Sequence, residues 1–167
     1  ITIFFDLEIL GKNERQGHLD TVKSSSEFSD VDEIRKAAPE ANLLVRINPL
    51  NRNSESEINS VIKSGANSIM LPMFRQVEEV EAFLGLIDGR AKAVTLFETS
   101  ESINNLPEII TKLKIEQLHI GLNDLHIDQN KIFLFEPLSD GFLEEACAEL
   151  RARKVKFGIG GIAKAGD

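Results

Sequence analysis

Two incompatible hydrophobic periods alternate along this chain, and that alternation limits its fold more than any other feature. Short, nearly continuous apolar runs, read as strands, occupy Ile1–Phe5, Asn42–Asn48, Ser68–Leu71, Lys92–Phe97, Gln117–Gly121 and Val155–Ile159. Between them, apolar residues recur three and four apart over Val31–Ala38, Glu55–Lys63, Val77–Ile87, Ile103–Leu113 and Leu143–Arg153, the spacing of amphipathic helices. Strands apolar on both sides of the pleat predict coverage on both faces, as in parallel sheets. Asn53-Ser54 and Ser100-Glu101-Ser102 offer capping side chains, and Gly65 and Gly89 stand where helices should stop. A βα unit repeated in this way predicts an α/β fold with a parallel sheet and right-handed crossovers.

Two architectures satisfy that order, an open doubly wound sheet and a closed eight-stranded barrel. No Gly-x-Gly-x-x-Gly follows the first strand, where Asp6-Leu7-Glu8 leads into Gly11-Lys12-Asn13-Glu14-Arg15, so a dinucleotide fold loses support. Polar residues close the carboxyl end of nearly every strand: Asp6 and Glu8, Arg46 and Asn48, Glu98, and Asn123 and Asp124. In a (β/α)8 TIM barrel that is the rim where catalytic groups converge. Such barrels take about 250 residues, so the 167 here are expected to form a single partial barrel domain over 1–167, incomplete at both ends. The start at Ile1, inside an apolar run, adds the expectation that the chain is the interior of a longer one. The long polar connection from Asp6 to about Ser29 reads as a rim loop or a poorly ordered one.

Charge narrows the partners. Nineteen Lys and Arg against twenty-seven Asp and Glu leave a net charge of −8, which argues against nucleic acid or an anionic membrane surface. No apolar run approaches the roughly 20 residues of a membrane span, and the first 25 residues lack the order of a signal peptide. One cysteine, Cys147, excludes an intramolecular disulfide framework or a multi-thiolate zinc site, and a cytoplasmic setting is expected.

The chemistry-bearing candidates lie at the strand ends. Glu98 and Asp124 close what read as consecutive parallel strands, neighbours about 4.8 Å apart, so the two carboxylates can share one mouth. Two oxygen ligands without a His-Cys cluster suit Mg2+ or Mn2+; alternatively each merely caps the element that follows. Arg46 ends an apolar strand, where a guanidinium requires an anionic partner, either a substrate oxygen or the carboxylate of Asp6 or Glu8. Gly158, Gly160 and Gly161 fit a phosphate-binding turn or a tight barrel corner. Of three histidines, His119 reads as a core residue inside a strand, while His18 and His126 fall in loops that suit a general base or simple solvation. Cys147, Met70 and Met73 read as packing.

Five segments in register carry a resemblance: Asp6-Leu7-Glu8, Val45-Arg46-Ile47-Asn48-Pro49, Gly65 to Pro72, Phe97-Glu98-Thr99 continuing to Ile109, and Ile120 to Leu125. In order and spacing the chain resembles the HpcH/HpaI aldolase and citrate lyase beta-subunit family from Ile3 to about Gly161. The resemblance implies a TIM barrel of the phosphoenolpyruvate type and a metal-dependent carbon–carbon lyase or aldolase. Its expected substrate is a small 2-oxo or carboxylic acid, free or CoA-linked. Carried over by position, Glu98 and Asp124 are the implied ligands of Mg2+ or Mn2+, and Arg46 contacts the enolate oxygen. Arg46, Asn48, Pro72 and Leu122 fall at the substrate, and members often form homo-oligomers.

The chain also departs from the family pattern. Ile9 stands where the hydroxy-oxo-acid aldolases place a catalytic His after Asp-x-Glu, and Leu96 where they tend to carry Gln. The proton then falls to His126, His18 or a metal-bound water. Asp6-Leu7-Glu8 with Lys12 and Arg15 is closer to the citrate lyase beta-like branch, although an Asp commonly follows its Glu. A relative that keeps barrel and metal rim but has lost its base, acting in assembly rather than turnover, is the alternative expectation.

Overall fold

A computed structural model describes residues 1–12 and 28–161. Arg15 and His18, with most of the long first connection, fall outside the described residues. Six strands alternate with helices in the predicted order: β1 (Thr2–Asp6), α1 (Phe28–Ala37), β2 (Asn42–Arg46), α2 (Ser54–Lys63), β3 (Ser68–Leu71), α3 (Val77–Ile87) and β4 (Lys92–Phe97). There follow α4 (Ser100–Asn104), α5 (Leu106–Lys112), β5 (Gln117–Gly121), α6 (Leu122–Asp128), α7 (Glu136–Ser139), α8 (Glu144–Ala152) and β6 (Lys156–Gly160). Two local outcomes differ from the apolar pattern. The helix expected over 103–113 is broken at Asn105, because Pro107 has no N–H to donate back into a preceding turn. The segment after β5, expected to be a loop, coils at once into α6, which places Asp124 in a first helical turn.

All strands are parallel and lie side by side in chain order, β1 to β6. A doubly wound sheet would reverse direction at a switch point; this order instead makes part of a TIM-like barrel. Side-chain alternation along each strand then sorts residues onto two faces. Leu43, Val45, Ile69, Leu71, Phe97, Leu118 and Ile120 point to the helices and form the main core with Val61, Val80, Phe83, Ile109 and Leu150. Leu44, Met70, Val94 and Leu96 form a separate small cluster on the other face. The expected two-sided coverage thus consists of helices outside and a thin apolar floor inside, with polar groups along the strand ends above it. Among the described residues no helix is long and apolar enough to cross a membrane.

Arg35 of α1 ties the opposite end of the sheet together. Its guanidinium donates to the carbonyls of Pro39 and Ala41 at 2.8 and 2.9 Å, to Gly65 O at 2.7 Å and to Asn67 Oδ1 at 2.6 Å. Asn67 Oδ1 in turn accepts from the Leu43 N–H. Charged donors of this kind contribute about 1.5–3 kcal/mol each when lost, but several here remain solvated. Arg35→Ala is therefore expected to lower unfolding stability by about 2 kcal/mol, seen as a lower urea midpoint with an unchanged m-value.

Candidate active site

A cavity of about 410 Å³ opens at the carboxyl ends of the strands and is lined by Asp6, Lys12, Arg46, Glu98, His119 and Asp124 over a floor that includes Leu44, Met70 and Leu96. The volume is within the usual span for small-ligand sites, roughly 300–1,000 Å³.

Glu98 follows β4 directly and is 2 % exposed. It does not cap α4. Thr99 does so, its Oγ1 accepting from the Ser102 N–H at 3.1 Å, which leaves the neighbouring carboxylate to the cavity. Glu98 Oε1 accepts from the Met73 N–H at 3.0 Å. Met73 presents that N–H from a left-handed backbone (φ 55°), a conformation that costs an L-residue about 1–2 kcal/mol. The turn is fixed by Phe74, packed edge-on to Phe97 with ring centroids 4.8 Å apart. On the other side the backbone of Gly121 approaches so closely that a Cβ there would stand 3.0 Å from Glu98 Oε2. Burial, then the charges of Asp124 and Glu8, push the Glu98 carboxyl well above the usual carboxylate range, with Arg46 and the Met73 N–H opposing. Asp124, 3 % exposed, reaches the same cavity from the first turn of α6.

Arg46 ends β2 beside β1, with Asp6 as its register partner. Its Nε and Nη2 donate to the two oxygens of Asp6 at 2.9 and 2.7 Å, and Nη2 lies 3.3 Å from Glu8 Oε2. The structural partners considered from sequence are therefore both present, and they fix the plane of the guanidinium. Among the described residues Nη1 donates no hydrogen bond. Burial raises the Asp6 carboxyl, but the hydrogen bonds and charge of Arg46, then those of Lys12, outweigh it and hold it at about 2.

The remaining candidates lie elsewhere. Asn48 occupies an adjoining depression with Ile9, Leu10 and Asn51, where its Oδ1 accepts from the N–H groups of Ile9 and Leu10 at 2.8 and 2.9 Å and its Nδ2 donates to Glu57 at 2.9 Å. Pro72 and Leu122 are buried and do not line the cavity. His126 is 8 % exposed and its Nδ1 donates to the Leu122 carbonyl at 3.0 Å, one turn back along α6. Conversely, His119 and Lys12 line the cavity although the strand pattern marked one as core and the other as loop. The alternation that carries Gly121 to the inner face also carries the residue two before it, a signal the sequence did hold.

The family model of HpcH/HpaI aldolase/citrate lyase matches residues 28–131. The chain belongs to this family. Its members are aldolases and citrate lyases, so the family supports lyase activity. No curated protein matches the chain by sequence. Among solved structures it is similar to an HpcH/HpaI aldolase/citrate lyase family protein from Burkholderia cenocepacia J2315, with a TM-score of 0.75 at 12% identity over 95% of this chain and 70% of that one. The HpcH/HpaI aldolase from Desulfitobacterium hafniense DCB-2 gives 0.71 at 12% identity over 99% and 79%. Protein CitE from Mycobacterium tuberculosis, in complex with magnesium, acetoacetate and coenzyme A, gives 0.63 at 14% identity over 96% and 65%. At these identities the likeness is one of fold.

The donor set fits a hard divalent cation. Among the described residues no group of three or more His, Cys, Asp or Glu side chains converges as a ready-made cage. Mg2+ does not ask for one, since it keeps several waters and takes one or two carboxylates. Glu98 offers an Oε2 that accepts nothing from the described residues, beside a second buried carboxylate whose charge it feels.

Proposed function

We propose that this chain is part of a TIM-barrel carbon–carbon lyase of the aldolase type, dependent on Mg2+ or Mn2+ and acting on a small 2-oxo or carboxylic acid, free or CoA-linked. The observation that carries this reading is Glu98: a buried carboxylate relieved of helix capping by Thr99, placed in one cavity with Asp124 and Arg46. Glu98 and Asp124 would hold the cation, which supplies Lewis-acid polarisation of the substrate's 2-oxo group. Arg46, oriented by Asp6 and Glu8, keeps Nη1 for the oxygen on which negative charge grows as the carbon–carbon bond breaks. The floor of Leu44, Met70 and Leu96 excludes water beneath that oxygen, strengthening the interaction. His126, hydrogen-bonded within α6, supports the turn that carries Asp124.

Titration calorimetry with MnCl2 tests the site: wild type is expected to bind and Glu98→Ala is not, and equal affinity in both would refute the assignment. A turnover screen of 2-oxo acids with aldehydes then separates a lyase from a non-catalytic assembly relative. Product formed only with the cation present identifies the lyase.

A further inference from the structure

His119 has no role in that scheme, yet its surroundings leave room for an imidazole in the cavity. It projects from β5 into the cavity and is half-buried. In the β5–β6 register it pairs with Gly158, and Gly121 pairs with Gly160. A Cβ on Gly158 would stand 2.9 Å from His119 Nδ1, and one on Gly160 would stand 3.2 Å from Nε2. Contacts to backbone-bonded carbon under about 3 Å do not occur, so any side chain at 158 would evict the ring. The two glycines therefore form a groove in which the imidazole lies along β6, Nδ1 over Gly158 and Nε2 over Gly160. Gly160 is one step nearer the rim, level with Gly121, whose backbone touches Glu98. The ring's Nε2 edge thus faces the rim beside the proposed cation site, while its Cα stays in the layer below. No described residue hydrogen-bonds the ring, and burial lowers its pKa, which favours the neutral form that can accept a proton. The charged groups lining the same cavity are Asp6, Lys12, Arg46, Glu98 and Asp124.

We propose that His119 is the proton-transfer group of this site, seated in the Gly158–Gly160 groove and exchanging a proton with the carbon next to the 2-oxo group of a pyruvate-like fragment. This rests on the lyase reading above. In the step, the C–H bond at that carbon breaks, its proton passes to Nε2 of the neutral imidazole, and its electron pair becomes the enolate, whose oxygen meets Arg46. The reverse step returns the proton from imidazolium to carbon. Gly158 and Gly160 here allow a close approach by a side chain on β5.

The probe is exchange of pyruvate methyl protons for deuterium, followed by NMR on the full chain with MnCl2 in D2O. Wild type is expected to exchange them, with a rate that falls only as pH drops through a pKa below the ordinary 6.5 of imidazole. His119→Gln should slow exchange by about 100-fold or more and abolish that pH limb, with Mn2+ affinity unchanged. Gly158→Ala, which keeps the imidazole but crowds Nδ1, should slow exchange as well, and it decides the matter if His119→Gln fails to fold. The His119 ring-proton resonance should also move on adding pyruvate without any metal. Exchange at the wild-type rate in both variants would overturn the role of His119 and leave the lyase reading standing. A wild type that binds Mn2+ but does not exchange also overturns it, and one that neither binds Mn2+ nor exchanges removes both proposals.

Discussion

Glu98→Gln is expected to abolish cation binding and, in the same molecule, to make the cation-free chain more stable. The isosteric amide keeps the Met73 N–H bond at Oε1 and removes a charge that burial, Asp124 and Glu8 all disfavour. The sign follows from proton linkage. The folded chain holds the Glu98 proton more tightly than the unfolded chain, whose value is near 4.5. Wild-type stability is therefore lost as pH rises from 4.5 toward the folded value. The Gln variant lacks that loss and should be more stable than wild type at pH 8, while matching it below pH 4.5. Adding Mn2+ should reverse the order, since a cation at one hundred times its Kd stabilises only the binding-competent chain, by about 2.7 kcal/mol. Thermal melts at the two pH values with and without MnCl2 give all four cases. A Gln variant that still gains from Mn2+ would place the cation elsewhere.

Arg46→Lys should separate structure from turnover. Lysine keeps a positive charge beside Asp6 and Glu8 but cannot give two parallel bonds to Asp6 and a third donor to substrate. Turnover is expected to fall about 100- to 1,000-fold, the usual cost of one lost donor at a developing oxyanion, with a stability loss of only about 1 kcal/mol. Arg46→Met removes the charge as well, taking the two-pronged partner from Asp6 and the nearby cation from buried Glu8, so a loss of about 3 kcal/mol is expected. The Asp6 pair also sets an acid limit. With Asp6 held at about 2 against 3.8 unfolded, its contribution is full above 3.8 and is lost as pH falls toward 2. In wild type that contribution is about 1–2 kcal/mol once solvent screening is allowed for. In Arg46→Met the acid-induced loss should largely disappear.

The strands were legible because each turns one face to the helices, so a few β-branched and aromatic residues mark it whatever lies on the other face. Glu98 and Asp124 were legible as a pair because parallel neighbours end at the same rim. Helix α6 was not, since seven residues give too little periodicity to register, and its presence changes what its residues do. Starting the helix at Leu122 sets Leu122 and His126 one turn apart, which buries the imidazole expected in a loop. Asn48 was placed at the substrate by resemblance, whereas Glu57 of α2 and the Ile9 and Leu10 N–H groups engage its amide. His119 read as core because its strand is apolar, and only the pairing of β5 with the glycines of β6 reveals the groove it occupies.

The neighbour-to-neighbour order of β1 to β6 bears on how the molecule is made. Every strand hydrogen-bonds to the one synthesised just before it, and none must be held open for a later strand to slip between two that have already joined. The sheet can therefore lengthen one strand at a time as the polypeptide leaves the ribosome, with each loop closure spanning only the one to three helices between neighbouring strands and the growing edge ready for the next strand.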